Sequence, residues 1–401
     1  MLGEAGSVVE FTGRPFFDGT VNVYVAPKAI PDMRVAIVSE FCPPYRTGFY
    51  EAFADRFESK VFFCNTKDNW RAFGDFPYVE LSHHKLRDRY VLAPGVFSAL
   101  RRYDPDVVIG SPVEGFGGQA SYLYARTSGT PFVLWTGEWH LPLTTLRTTT
   151  FPIISRIYRG ADAITVYGPH IKRYLVDLGI DREKISVAWN TVDTSKFATS
   201  DRQTAEMRAD LGIPTDAPVA LFVGRMIESK GVGYLIDAFD IVRQRVDSEP
   251  HLLLVGDGED YDSFERQAEE VPNTTLAGYV DNDRLPGYYA LADCFVLPSV
   301  QTAIFREPWG LVVNEAMSSG TPVIASGQVG AAAAGVVEDG VNGYVVPERN
   351  TRALANRLES LLTDREKAAK FGERARERIR EFDYERMVDG VGEAIETAMQ
   401  R

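Results

Sequence analysis

Cysteine and histidine are scarce in this sequence, whose 401 residues include three cysteines and five histidines. Cys42, Cys64 and Cys294 lie far apart and are odd in number, so they predict free thiols in a reducing compartment. Neither residue type shows the spacing of a metal site, and we expect no bound metal. The sequence therefore excludes, for this chain, the class of small proteins whose fold is stabilised by disulfides or by structural zinc.

Long apolar runs and a basic charge excess are also missing. No apolar run reaches the roughly 18 residues that a membrane-spanning helix needs, and the N-terminus does not resemble a secretory signal. The formal net charge is −13, whereas nucleic-acid-binding proteins normally carry a basic surface. We therefore expect a cytoplasmic protein with no nucleic-acid partner, and leave peripheral contact with the inner face of the membrane open as an alternative.

What the sequence does contain is a repeated alternation of short apolar runs and amphipathic stretches. Runs such as residues 33–40 and 217–225 are typical of buried parallel strands, and the stretches between such runs are typical of helices. This βαβα order predicts a mostly parallel sheet with helices on both faces. Because the alternation occurs twice, the sequence predicts an α/β protein with two Rossmann-like domains.

The alternation lapses once, in a polar stretch near residues 194–217 that we interpret as a linker. The first domain is then expected over residues 33–193 and the second over residues 218–381. Residues 1–32 are interpreted as an N-terminal extension. In open α/β sheets, ligands bind at the carboxyl ends of the strands, so the loops that follow the strands are the places to look for chemistry.

A basic loop follows the first strand of the second domain. This strand is expected to end at Val223, after which Gly224, Arg225, Lys230 and Gly231 lead into a helix. Glycine lets the backbone approach a ligand closely, and the N-terminus of a helix favours anions. A guanidinium and an ammonium group together suit a diphosphate. The alternative is an ordinary βα loop with two solvated cations.

Two carboxylates stand eight residues apart in the run REPWGLVVNEAMSSGTPVIA. Pro308 and Gly310 disfavour a helix before Leu311, so Glu307 should lie in a loop and Glu315 one turn inside the helix. The free N–H groups at the start of this helix would point to the same place. Such a site suits ribose and sugar hydroxyls, as the acidic residue of dinucleotide sites does. The alternative is an acid stabilised by the helix dipole plus one exposed glutamate.

These segments, in their order and spacing, resemble those of family 4 glycosyltransferases. The run from Glu307 to Glu315 resembles the family's E-x7-E signature, and GRMIESKG resembles its phosphate-binding GRL-x-x-x-KG. LLLVGDGED, LAGYV, LADCFVLPS and VEDGVNGYVV follow in the usual order, and the resemblance covers about residues 33–385. It implies a GT-B fold, with parallel sheets facing across a cleft and residues 382–401 forming a helix that returns to the first domain.

The resemblance also implies a function. This is the retaining, metal-independent transfer of a hexose from a nucleotide-activated donor, UDP- or GDP-linked, to a hydroxyl acceptor. No cofactor is expected, because the nucleotide sugar is a co-substrate. The product would belong to glycan, glycolipid or polysaccharide synthesis, and a lipid-linked acceptor is left open. Two alternatives remain at this point: a nucleotide-sugar-binding GT-B protein without transferase activity, and a GT-B epimerase.

The family's donor-binding residues can be carried over by motif match. Glu315 would hold the ribose and Glu307 the donor sugar, while Arg225 and Lys230 would neutralise the leaving diphosphate. The remaining expected contacts, to the base, the sugar and the phosphates, are Tyr279, Val280, Trp309, Gly310, Leu311 and, in the first domain, Gly48.

The acceptor side is expected at the end of the strand PFVLWTG, where the family usually has a His or an Asp. His140 is the first candidate and Glu138 the second for the group that takes the proton or orients the acceptor hydroxyl. The alternative is a loop histidine packed beside Trp139. The chain departs from the family at Thr191, where a glycine is usual, and in GQVGAAAAGVV, which lacks an acidic residue often seen there.

Overall fold

The computed structural model describes residues 33–65, 74–86, 90–197 and 201–401, so the expected extension at residues 1–32 lies outside the described residues. Two parallel sheets form the framework of this described part. Helices cover the sheets, and three buried apolar clusters fill the layers between helices and strands.

The first sheet is built from seven parallel strands of the described residues, in the order β3-β2-β1-β6-β7-β8-β9. These strands are β1 (Arg34–Ser39), β2 (Glu58–Phe63), β3 (Tyr78–Glu80), β6 (Val107–Gly110), β7 (Phe132–Thr136), β8 (Ala163–Val166) and β9 (Ile185–Val187). A separate antiparallel pair consists of β4 (His84–Leu86) and β5 (Tyr90–Leu92). The helices are α1 (Thr47–Arg56), α2 (Val96–Tyr103), α3 (Phe116–Ser128), α4 (Thr145–Gly160) and α5 (Pro169–Asp177). All five residues of β7 are buried, because helices lie on both faces of the sheet.

The second sheet is built from six parallel strands of the described part, in the order β12-β11-β10-β13-β14-β15. The strands are β10 (Val219–Val223), β11 (His251–Val255), β12 (Thr274–Gly278), β13 (Cys294–Leu297), β14 (Val323–Ser326) and β15 (Gly343–Val346). The helices are α7 (Val232–Arg243), α8 (Tyr261–Glu269), α9 (Leu285–Leu291), α10 (Leu311–Ser318), α11 (Gly330–Ala333), α12 (Thr351–Leu362) and α13 (Arg365–Ile379). The central strands β10 and β11 are wholly buried, as their continuous apolar sequences predict.

One helix lies in the chain segment that joins the two domains, and another follows the second domain and packs on the first. The predicted linker at 194–217 contains a helix, α6 (Asp201–Asp210), which packs on α9 of the second domain. The last helix, α14 (Tyr384–Met399), packs on α1, β8 and β9 of the first domain. Gly390 makes this approach close, since a Cβ there would lie 2.1 Å from the carbonyl oxygen of Val187. The domain boundaries themselves stay a prediction.

The carboxyl ends of the two sheets face each other. A cavity of about 1320 Å³ lies between them, lined from the first domain by His140 and Leu143 and from the second by Arg225, Lys230 and neighbouring residues. The predicted fold class, two Rossmann-like domains with parallel sheets across a cleft, is therefore confirmed. Over the described residues, no helix combines the length and the apolar character that crossing a membrane requires.

Candidate active site

The loop after β10 carries the two predicted cations. Arg225 is exposed, and its guanidinium makes no hydrogen bond or ion pair with any described residue. Lys230 closes a short 3-10 turn, and its ammonium forms an ion pair with Glu307. Gly231 follows with φ +72°, and a Cβ there would lie 2.2 Å from the carbonyl oxygen of Pro298. Only glycine fits this position, which holds the start of α7 against the end of β13.

Glu307 lies in the loop between β13 and α10, as the sequence predicts. Only 7% of its surface is exposed, and the Lys230 ammonium and the Ser299 hydroxyl donate to the same carboxylate oxygen, the latter at 3.5 Å. A buried carboxylate needs such partners, because burial without them is costly. A sugar phosphate that reaches this point can contact the carboxylate and the ammonium together.

Glu315 lies one turn inside α10, on the wall of a second cavity of about 610 Å³. The hydroxyl of Tyr289 donates to its Oε2 at 2.6 Å, and Tyr289 itself is completely buried. Burial raises the pKa of Glu315, and the hydrogen bond from Tyr289 partly offsets this rise. One carboxylate oxygen is thus fixed by the protein, while Oε1 accepts no hydrogen bond from the described residues.

Backbone donors lie between the two carboxylates. Gly310 precedes α10 with φ +84°, and the N–H groups of Trp309, Gly310 and Leu311 donate to no other described residue. The Trp309 side chain points away from solvent, and its indole N–H donates to Asn314 Oδ1 at 2.8 Å. The structure therefore offers backbone donors rather than the tryptophan ring at this point.

Of the remaining predicted donor residues, one lines the second cavity and two directly follow β12 without lining it. Gly48 lines it from the first domain, and a Cβ there would lie 2.4 Å from the ring of Tyr384, which also lines it. Beyond β12, Tyr279 is 73% exposed and Val280 is 9% exposed. Their predicted contact with the base stays a prediction.

His140 lies on the wall of the large cavity but is engaged by the second domain. Its Nδ1 accepts from the side-chain amide of Gln301 at 3.2 Å, and its Nε2 donates to the carbonyl of Ala303 at 3.3 Å. Both ring nitrogens therefore serve contacts between domains in this arrangement. As a proton acceptor, His140 would first have to release Gln301.

Glu138 lines a third cavity of about 310 Å³, next to His140. It forms an ion pair with Arg147, and both side chains are largely buried, at 17% and 7% exposed. Burial raises the pKa of Glu138 to about 7, although the Arg147 guanidinium works in the opposite direction. This carboxyl group therefore changes its charge near neutral pH.

Three hydrogen bonds that hold the predicted site residues or their loop are not signalled by any sequence motif. Besides the Tyr289 hydroxyl, the indole N–H of Trp139 donates to the Glu307 carbonyl at 3.0 Å, and His170 Nε2 donates to the Pro308 carbonyl at 3.1 Å. Burial lowers the pKa of His170 to about 3, so its ring is neutral and can keep this role. Two first-domain residues thus hold the loop that carries Glu307.

No group of three or more His, Cys, Asp or Glu side chains with the arrangement of a metal site occurs in the described ranges 33–65, 74–86, 90–197 and 201–401. The cationic side chains that line this cleft are Arg225, Lys230 and Arg349. Lys230 is paired with Glu307 and Arg349 with Glu348.

Two family models match the chain, one in each domain. The model described as "Glycosyltransferase Family 4" matches residues 41–196, and the model described as "Glycosyl transferases group 1" matches residues 203–378. Together they span most of both domains.

Curated relatives are similar at low identity. The chain is 29% identical over 306 residues to the lipopolysaccharide core biosynthesis glycosyltransferase LpsE of Rhizobium meliloti, covering 75% of this chain and 79% of LpsE. It is 29% identical over 315 residues to the sulfoquinovosyl transferase SQD2 of Arabidopsis thaliana, covering 75% of this chain. The matched part is only 58% of SQD2, less than two thirds of its length.

Solved structures show the same architecture. The Anabaena protein Alr3699/HepE, crystallised with UDP, superposes with a TM-score of 0.72 at 20% identity, covering 91% of this chain and 99% of that one. WaaG, a glycosyltransferase of lipopolysaccharide biosynthesis, superposes with a TM-score of 0.66 at 18% identity, covering 89% and 98%. Similarity at this level of identity shows the fold alone. With the family matches in each domain, it shows that this chain belongs to the family 4 glycosyltransferases and has the GT-B fold.

Proposed function

We propose that this glycosyltransferase moves a hexose from a nucleotide-activated sugar to a hydroxyl acceptor, with retention of configuration at C1 and without a metal ion. One observation carries the proposal. Arg225, Lys230 and Glu307 lie at the carboxyl ends of β10 and β13, and His140 faces the two cations across the cleft from the first domain. Cations, a buried carboxylate and backbone N–H groups are the groups that a sugar diphosphate requires.

The donor is proposed to be a UDP- or GDP-sugar. The Anabaena protein of similar fold was crystallised with UDP-glucose, and a relative from Mycobacterium tuberculosis, 28% identical over 230 residues, is a GDP-mannose-dependent mannosyltransferase. In our proposal Glu315 accepts from the ribose hydroxyls in the second cavity, and the diphosphate extends toward Arg225 and Lys230. Glu307 then accepts from a hydroxyl of the donor sugar.

In the transfer step, the acceptor oxygen forms a bond to C1 while the bond from C1 to the phosphate oxygen breaks. The bonding electrons leave with the nucleoside diphosphate, whose developing charge is stabilised by Arg225 and Lys230. The hydroxyl proton passes to the departing phosphate oxygen, and Glu138 orients the acceptor hydroxyl. Retention is tested by the configuration of C1 in the product, read from its proton NMR spectrum; an inverted product contradicts this part of the proposal.

The acceptor's wider environment is proposed to include a membrane surface. Phe151 and Ile153 of α4 are 40% and 57% exposed, and α4 contains arginines but no acidic residue. Leu143, just before α4, is 68% exposed at the mouth of the large cavity. Arg156 and Arg159 of α4 are exposed as well, whereas Arg147 is buried against Glu138. Exposed apolar and cationic side chains on one helix suit an anionic lipid surface that presents a lipid-linked acceptor.

The pH dependence of transfer tests the role of Glu138. Because its pKa is raised to about 7, the group is a neutral acid below that pH and a carboxylate above it. Only the carboxylate can accept from the acceptor hydroxyl through both oxygens, so kcat/KM for the acceptor should rise as the pH increases through about 7. In Glu138→Gln this rise should be lost. An unchanged rise in the Gln variant would assign the titration to another group.

Removal of metal ions tests the metal-free part of the proposal. Because Arg225 and Lys230 supply the positive charge beside the diphosphate, activity should persist after treatment with EDTA and transfer to metal-free buffer. The measurement is the rate of nucleoside diphosphate release before and after treatment. Loss of activity that Mg²⁺ or Mn²⁺ restores would contradict it.

The alternative of a nucleotide-sugar-binding protein without transfer is favoured by one observation. Both ring nitrogens of His140 are already bonded to the second domain, which leaves Glu138 as the remaining predicted group for the acceptor hydroxyl. The epimerase alternative has no observation of this kind in its favour.

A further inference from the structure

Arg46, in the loop between β1 and α1, is a buried cation without an acidic partner. Only 6% of its surface is exposed, and it forms no ion pair with any described residue. Its guanidinium donates instead to two neutral acceptors, the side-chain oxygen of Asn190 at 3.0 Å and the sulfur of Met387 at 3.3 Å. A thioether is a weak acceptor, and a buried charge that lacks a counter-charge is costly. Packing alone therefore does not account for an arginine at this position.

Four aromatic rings surround this guanidinium and fix its place. Its central carbon lies 5.5 Å from the ring centroid of Tyr45, 5.8 Å from that of Phe49, 5.1 Å from that of Trp135 and 5.7 Å from that of Tyr167. Contacts of this kind stabilise a cation that has lost its water. One of these rings lines the second cavity and two line the third, whereas Arg46 itself lines none of the three. Arg46 therefore reaches a ligand only through the residues around it.

The two acceptors of Arg46 belong to the two places where the chain passes between the domains. Asn190 follows β9, the last strand of the first sheet along the chain, and precedes the linker. Met387 lies in α14, where the chain has returned to the first domain. A third bond adds to these, because the hydroxyl of Tyr384, also in α14, donates to the carbonyl of Tyr45 at 3.0 Å. The loop between β1 and α1 is thus bonded to both crossing segments.

Asn190 continues this hydrogen-bonded path into the second domain. Its backbone carbonyl accepts from the side-chain amide of Asn314 at 3.3 Å, and Asn190 and Asn314 are 4% and 0% exposed. Asn314 lies in α10 directly before Glu315, and its Oδ1 accepts from the indole of Trp309. A shift of α10 relative to the loop that carries Arg46 would therefore break at least one buried bond of the path.

We propose that Arg46 and Asn190 are positioning residues for donor binding, which hold the first-domain wall of the second cavity in register with α10. Tyr45 and Gly48 line this cavity from the first domain, and Glu315 lines it from the second. Because the guanidinium bonds to both crossing segments, the arrangement of the domains and the binding of the donor depend on each other through it. This inference rests on the proposed function, which places the donor nucleotide between these two walls.

The affinity for nucleoside diphosphates tests the path without requiring an acceptor. Arg46→Met removes the first donor of the path and Asn314→Ala removes a later one, so calorimetric titration with UDP and GDP should show affinity lowered about 3- to 10-fold in each. No hydrogen bond joins the two side chains directly, and independent sites would give losses that add. Because both act through Asn190, the double variant should lose little more than the weaker single variant.

Arg56→Met is the matched control. Arg56, in α1, forms an ion pair with Asp389 of α14, so this variant breaks another contact between α14 and the same part of the first domain. It should lower the melting temperature while leaving the dissociation constants at their wild-type values. If Arg46→Met does not fold, the same cycle is run with Arg46→Lys, which keeps the charge but loses the planar fork.

The outcomes separate this role from the proposed function. Unchanged nucleotide affinity in the Arg46 variant, or losses that add fully in the double variant, overturns the positioning role. An equal loss of affinity in Arg56→Met overturns it as well, because the effect would then be a general loosening of α14. Wild-type protein that binds neither UDP nor GDP overturns the proposed function, and this inference falls with it.

Discussion

Replacing Glu315 with alanine is expected to weaken binding of the donor nucleotide about 10- to 100-fold. A hydrogen bond to a charged group contributes roughly 1.5–3 kcal/mol, and a ribose can make one or two such bonds to this carboxylate. Glu315 is well placed for this role, because Tyr289 fixes its Oε2 at 2.6 Å and leaves Oε1 for the ligand. Calorimetric titration with nucleoside diphosphates measures the change directly.

Two controls decide whether the ribose is the group that Glu315 holds. Tyr289→Phe retains the carboxylate but removes its fixed partner, so the loss of affinity should be smaller than in Glu315→Ala. A 2′,3′-dideoxy nucleoside diphosphate should bind wild-type protein weakly, and Glu315→Ala should add little to that weakness because the two changes remove the same contact. Unchanged affinity in Glu315→Ala, or full additivity with the dideoxy ligand, contradicts the ribose assignment.

Replacing Arg225 with alanine is expected to lower kcat by about 100- to 1000-fold while changing donor affinity far less. The reason is that negative charge on the leaving diphosphate increases in the transition state, where a preorganised donor matters most. Arg225 is exposed and unpaired among the described residues, so its removal leaves no buried charge behind. Lys230 is a poorer choice for mutation, because its loss would leave Glu307 buried without its cation.

The measurement is steady-state transfer with saturating donor, together with an independent dissociation constant for the nucleotide. Arg266→Ala is the matched control, because Arg266 is an exposed arginine on α8 of the same domain and lines none of the three cavities. Its kcat should stay at the wild-type value. An Arg225→Ala enzyme with normal kcat and a raised dissociation constant would make Arg225 a simple binding residue.

Much of the fold could be predicted because it depends on local patterns. Parallel strands covered on both faces produce continuous apolar runs, as in β10 and β11, and these runs are visible in the sequence. Pro308 and Gly310 place the start of α10 at Leu311, which in turn places Glu307 before the helix and Glu315 inside it. The helix α6 within the predicted linker was missed, since its polar sequence lacks a clear apolar stripe.

The partners of the site residues could not be predicted, because they come from distant parts of the chain. Trp139 and Glu307 are 168 positions apart, and His170 and Pro308 are 138 positions apart. Such pairs form only when two domains meet, and neither residue type signals the contact in the sequence. For the same reason, the sequence could not decide whether His140 or Glu138 faces the acceptor. In the structure, both ring nitrogens of His140 are hydrogen-bonded to the second domain, whereas Glu138 lines a cavity.

The most direct test of the account is the release of nucleoside diphosphate from UDP- and GDP-sugars with and without a panel of hydroxyl acceptors. We predict that one donor class gives release that an acceptor accelerates, with a glycosylated acceptor as the second product. Nucleotide sugars that bind without any release or transfer would contradict the account and leave a binding protein, and conversion of the donor sugar without transfer would make the protein an epimerase.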